Sequence, residues 1–221
     1  MSDRFICAWQ ISTDDLESVV RGGQLTSRKV LGNKANRRAR TDVFMTLDED
    51  DGKAIATSAL DEIFAGTLDA ERDYDYARVI ELIANVVGRP LTGQIEQFGT
   101  YHLPKATDWN PLLAKCGMPK LAKLWGTTNF AFPWRGKKAR SDWPIITLMS
   151  PAELVPVAKE LKSVTKKHVL ALPPKLMVDH PENLKECQDE LWLGLQQLRK
   201  WVHACAGKVN GSLLLKIDGD E

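Results

Sequence analysis

Six residues near the C-terminus, Cys187, Leu191, Leu195, Leu198, Val202 and Cys205, recur at spacings of four, four, three, four and three. An α-helix turns once every ~3.6 residues, so these side chains share one stripe that has to be buried against something. Gly207 follows as a terminator, and Gly211 to Asp218 then carries Leu213, Leu214 and Leu215. That run reads as a buried strand. A long apolar-striped helix beside an apolar strand calls for a sheet with helices laid on it.

Two further apolar runs supply the sheet. Phe5 to Ile11 is rich in strand formers and ends at Ser12-Thr13-Asp14-Asp15, where Ser12 can accept from the amide three residues on. Leu16, Val19 and Val20 continue at helical spacing until Gly22-Gly23. Trp143 to Met149 repeats the syntax, with Ser150-Pro151-Ala152-Glu153 as a capping box and Leu154, Val157, Ala158 and Leu161 behind it. Pro156 is expected to remove one hydrogen bond from that helix or bend it. Between these units, Ser58 to Asp61 is expected to open a short helix ending at Gly66. Tyr76, Ile80, Ile83 and Val87 form another stripe, stopped by Gly88 and Pro90. Asp108 is placed to cap a helix through Leu112 and Leu113, and Pro119 to open one carrying Leu121 and Leu124. Strands near 4–11, 143–149 and 212–218 without regular β–α alternation predict an α+β fold. A single domain over 1–221 is expected, with 22–53 as a charged, candidate mobile segment.

Chain length allows a core without covalent staples, and 43% hydrophobic with 27% charged residues is an ordinary globular balance. The seven tryptophans read as apolar volume spread through one core rather than as a binding surface. Cys7, Cys116, Cys187 and Cys205 are far apart, no leader pattern opens the chain, and no run approaches the ~20 apolar residues of a membrane span. A soluble, cytoplasmic protein with reduced cysteines is the resulting expectation.

Net charge is +1, yet its distribution is uneven. Arg21, Arg28, Lys29, Lys34, Arg37, Arg38 and Arg40 follow one another with no acid among them. From Asp42 to Asp75, eleven acids face only Lys53 and Arg72. The basic 28–40 stretch, above all Arg37, Arg38 and Arg40, has the charge to neutralise phosphates. It lacks the interleaved aromatics that stack on bases, so a solvated or internally paired surface is the favoured reading.

With Gly52 at the sixth position of a calcium loop, Leu47 and Ser58 fall where oxygen ligands are required, so residues 48–53 read as a solvated acidic turn. His102, His168, His180 and His203 are isolated, which argues against a metal site. No nucleophile elbow, phosphate loop or dinucleotide fingerprint occurs, so no catalytic residue and no cofactor is expected. The most distinctive stretch is Asp73 to Glu81. Tyr74, Tyr76 and Glu81 at a helix start are candidate binding residues, set against a plainer reading as a capped helix with a half-buried tyrosine.

Ile6 to Ser12 with Asp14, Asp15 and Leu16, the later Leu148 to Leu154, and the Leu191 to Trp201 helix before Ser212 to Ile217 resemble small uncharacterised bacterial proteins, the YfbM-like and related domains of unknown function. A Tyr-x-Tyr-Ala segment followed by Gly-x-x-Leu, here Gly88 to Leu91, occupies a similar place in one related set. The resemblance implies no activity, cofactor or catalytic set. Together these features favour a non-enzymatic, protein-binding bacterial protein, with toxin neutralisation as one form of it. A nucleic-acid-associated protein and an enzyme with a site near Tyr74, Tyr76 and Glu81 are the alternatives. Neither oligomeric state nor partner identity is legible.

Overall fold

The C-terminal strand lies inside the sheet, between strands from the start and the middle of the chain. The computed structural model describes residues 5–21, 30–33, 49–67, 69–93, 95–96, 109–125, 145–178, 180–208 and 211–217. Its strands are β1 (Phe5–Ile11), β2 (Arg89–Pro90), β3 (Ile95–Glu96), β4 (Ile145–Met149) and β5 (Ser212–Ile217). The order is β2, β1, β5, β4, with β3 also on β1, and every pairing is antiparallel. The three longer strands coincide with the expected apolar runs, and the fold is α+β. β2 and β3 have two residues each, too short for any alternation to announce them.

Helices cover both faces of this sheet. They are α1 (Thr13–Arg21), α2 (Glu49–Ala65), α3 (Asp73–Val87), α4 (Asn110–Lys115) and α5 (Pro119–Leu124). Then come α6 (Pro151–Ser163), α7 (Lys166–Leu170), α8 (Pro174–Met177) and α9 (Leu184–Cys205). Side chains alternate across a strand. Ile6, Ala8, Leu213, Leu215, Ile217 and Met149 therefore join one apolar cluster with α4 to α9. Trp9, Ile11, Leu214 and Ile146 join another with α1, α2 and α3. Among the described residues, the buried tryptophans accordingly serve two cores, not the single core expected: Trp9 on one side, Trp109, Trp125 and Trp201 on the other. Two-sided burial explains why β5 is buried at all six positions. Each fully buried Leu or Ile contributes roughly 1.5–3 kcal/mol.

The two strand-then-helix units behave alike locally and diverge in space. The Asp15 amide donates to Ser12 Oγ at 3.2 Å, and the Ser150 amide donates to Glu153 Oε2 at 2.8 Å, closing a full capping box. Yet Leu16 of α1 enters one cluster, while Leu154 and Val157 of α6 enter the other. α6 runs on through Pro156 to Ser163. In α9 all six predicted stripe residues are buried, and Gly207 follows at φ +80°, a conformation that favours glycine.

One boundary differs from expectation. α2 begins at Glu49, nine residues before Ser58, so most of the acidic 48–53 stretch forms the first turns of a helix rather than a turn. Acids there suit the positive end of the helix dipole. Ser58 lies mid-helix and donates to Glu62 Oε1 at 3.1 Å, one turn on, instead of capping. Asp108 lies outside the described residues, and Trp109 holds the N-cap position of α4. No helix among the described residues is long and apolar enough to cross a membrane.

Candidate functional site

α3 is enclosed by the sheet, α1 and α2, so burial extends beyond its predicted stripe. Val79, Leu82 and Ala84 are buried beside Tyr76, Ile80 and Ile83, and so are two charged residues, Arg78 at 3% exposure and Glu81 at 9%. Glu81 faces the sheet. Its Oε2 lies 2.9 Å from Nζ of Lys216 on β5, which is itself 8% exposed. Lys216 shares the face of Leu214 and stands across from Cys7 on β1 and Ile146 on β4. Removing two charges from water costs several kcal/mol each, which their mutual attraction has to offset. The pair thereby penalises any register that would move Lys216 to the other face.

A second polar cluster sits where α2 meets the start of α3. Tyr76 donates its hydroxyl to Glu62 Oε2 in a short hydrogen bond and accepts from the Asp69 amide at 2.8 Å. Arg72 is paired with Oε1 of the same Glu62, donates to Asp75 Oδ2 at 2.9 Å through Nε, and reaches Ser58 Oγ at 2.8 Å through Nη1. Its guanidinium carbon is 6.0 Å from the Tyr76 ring centroid. Burial, reinforced by the bond to Glu62, pushes the Tyr76 phenol up to about 12. Tyr76 is thus a protonated donor locking two helices, not an acid poised to lose its proton near neutrality. Beside this clasp, Lys53, Ala54, Thr57, Ser58, Asp61 and Glu62 line an open groove on the outer face of α2. Lys53, Ala54, Ser58 and Asp61 are exposed there.

Of the residues singled out from the sequence, Arg37, Arg38 and Arg40 lie outside the described residues. Tyr74 falls in the first turn of α3. Tyr76 and Glu81 are bonded to different groups, Tyr76 to α2 and Glu81 to β5. His168, His180 and His203 are exposed. No group of three or more His, Cys, Asp or Glu side chains with metal-binding geometry occurs among the described residues. The cysteines form no disulfide, and burial pushes the thiols of Cys116, Cys187 and Cys205 up to about 11, far from a nucleophilic thiolate.

Sequence reasoning missed Glu62, Arg72, Arg78 and Lys216. Two of them left a trace. Lys216 is the one charge in a strand that carries three leucines and an isoleucine, which implies a buried partner. Arg72 is one of two bases among eleven acids. Glu62 and Arg78 carried no such mark, because their burial depends on what α2 and the sheet bring against them.

A family model described as a domain of unknown function, DUF7691, matches residues 2–215. No curated protein and no solved structure matches the chain.

Proposed function

The chain belongs to the family defined by the domain of unknown function DUF7691, a membership that carries no activity with it, and we propose that it is a non-enzymatic protein-binding module. One observation carries the reading. α2 is clasped by Tyr76 and Arg72 through Glu62 and Ser58, and these two residues join the exposed Lys53 and Asp61 in lining an open groove beside the clasp. This helix carries Glu49, Asp50, Asp51, Asp61 and Glu62, five of the eleven acids that follow the seven bases. A helix with exposed charge, within a charge-segregated stretch of sequence, suits partner recognition, since complementary charge speeds encounter and sets specificity. The narrower form of the proposal is a toxin-neutralising accessory protein of the bacterial cytoplasm. The resemblance at Ile6 to Ser12 and Leu148 to Leu154 supports the bacterial source alone, and toxin neutralisation rests on the charge-segregated stretch suited to a partner.

Affinity capture with the full chain from its native host, followed by crosslinking mass spectrometry, tests the reading. The expected result is a stoichiometric protein partner, crosslinked near α2, whose retention falls with salt and is lost on combining Lys53→Glu with Asp61→Lys. Capture that recovers no protein, or a partner indifferent to those substitutions, overturns it. Retention of nucleic acid that disappears when Arg37, Arg38 and Arg40 are replaced would put the polyanion reading in its place.

A further inference from the structure

The junction between α6 and α7 is held by two acceptor arrangements of different chemistry. On the α6 side, Arg199 Nη2 donates to the carbonyls of Leu161 at 2.7 Å and Val164 at 2.8 Å. On the α7 side, Thr165 is the N-cap and His168 occupies the third helical position, where a capping box usually carries Glu or Gln. His168 Nδ1 accepts from the Thr165 amide at 3.0 Å and lies 3.0 Å from Thr165 Oγ1.

An imidazole nitrogen accepts an N–H bond only while it carries no proton. We propose that His168 makes the cap of α7 a proton-sensitive latch, closed with the neutral ring and released when the ring is protonated. Protonated Nδ1 can still donate to Thr165 Oγ1, but it then confronts the Thr165 amide donor to donor, and that amide loses its partner. The added positive charge also sits at the helix end that disfavours cations. Charged groups are carried by α7 itself and by the helices before it and packed on it. They are Lys166 and Lys167 on α7, Lys162 at the end of α6, and Lys185 and Asp189 on α9. Lys166 Nζ is 2.7 Å from Asp189 Oδ1, and this hydrogen bond holds the Asp189 carboxyl below its usual range. Asp189 therefore keeps its charge wherever an imidazole titrates. The two carbonyl acceptors of Arg199 do not titrate, so the α6 side holds while the α7 side opens.

Amide hydrogen exchange of the intact chain across about pH 5 to 8, where imidazoles change charge, tests the latch when expressed as protection factors. In the wild type, protection of the Thr165 amide is expected to fall about two- to thirty-fold on acidification, the range a helix cap supplies. His168→Gln keeps an acceptor that does not titrate and is expected to abolish the pH dependence. His168→Ala is expected to be poorly protected at both ends. An unchanged wild-type profile, or the same pH dependence in His168→Gln, overturns the proposal.

Discussion

Lys216 Nζ on the central strand lies 2.9 Å from Glu81 Oε2 on α3, joining the last strand of the chain to a helix made more than a hundred residues earlier. Both side chains are nearly sealed from solvent, with Arg78 buried one turn before Glu81.

Breaking this pair from one side is expected to cost much more than replacing both partners. Glu81→Leu takes the carboxylate from the buried Lys216 cation and should destabilise by about 3–5 kcal/mol. Adding Lys216→Met should recover most of that loss. Urea denaturation of the two single variants and the double variant checks this, and equal destabilisation by the double variant would refute it.

The Tyr76 hydroxyl provides a separate handle at high pH. Its value rises from 10.0 to about 12 on folding, so the unfolded chain releases this proton first. The stabilisation is complete below pH 10.0 and is lost as pH climbs toward about 12. Ultraviolet titration should show one of the three tyrosines ionising late, and Tyr76→Phe should remove that phase. The same substitution strands Glu62 Oε2 and the Asp69 amide, at a cost of about 1–3 kcal/mol.

Arg199 is expected to resist conservative replacement. One of its nitrogens serves two carbonyls, and its guanidinium carbon stands 5.6 Å from the Trp192 ring centroid. Lysine offers neither the planar fork nor the stacking surface. Thermal unfolding should therefore show Arg199→Lys closer to Arg199→Ala than to the wild type, with Arg199→Ala about 1–3 kcal/mol less stable than the parent.

Native-state thiol labelling should separate the cysteines. Cys116, Cys187 and Cys205 are buried with thiols pushed up to about 11, whereas Cys7 is half-buried on β1. Maleimide labelling read by mass spectrometry is expected to modify Cys7 first and the other three only after denaturant is added.

Much of the architecture was legible because local rules governed it. The α9 stripe, the Ser12 and Ser150 caps and the three apolar strands are set by side-chain spacing and by backbone groups that need partners within a few residues. The start of α2 was misplaced because Gly52 and its flanking acids also resemble a loop. The stretch becomes helical where Ala56, Ala59, Leu60 and Ile63 pack into the cluster around Trp9. The candidate site was less legible still. Tyr76 and Glu81 were visible as residues, but their partners Glu62 and Lys216 lie on other elements.

Gly88 shows where the two kinds of determination meet. The sequence by itself determined that α3 stops here, since glycine followed by Pro90 ends the stripe. Only the tertiary structure decided why glycine is needed. At φ −104° any residue is conformationally allowed, but a Cβ would stand 2.7 Å from the Ala84 carbonyl oxygen and 3.2 Å from that of Gln10 on β1. Periodicity and capping act over one or two turns, so a single chain displays them. The middle place of β5, the opposite destinations of α1 and α6, and the Glu81–Lys216 pair depend on distant segments meeting. Such contacts leave no spacing in the sequence, because the free energy that selects them comes from burial shared between elements.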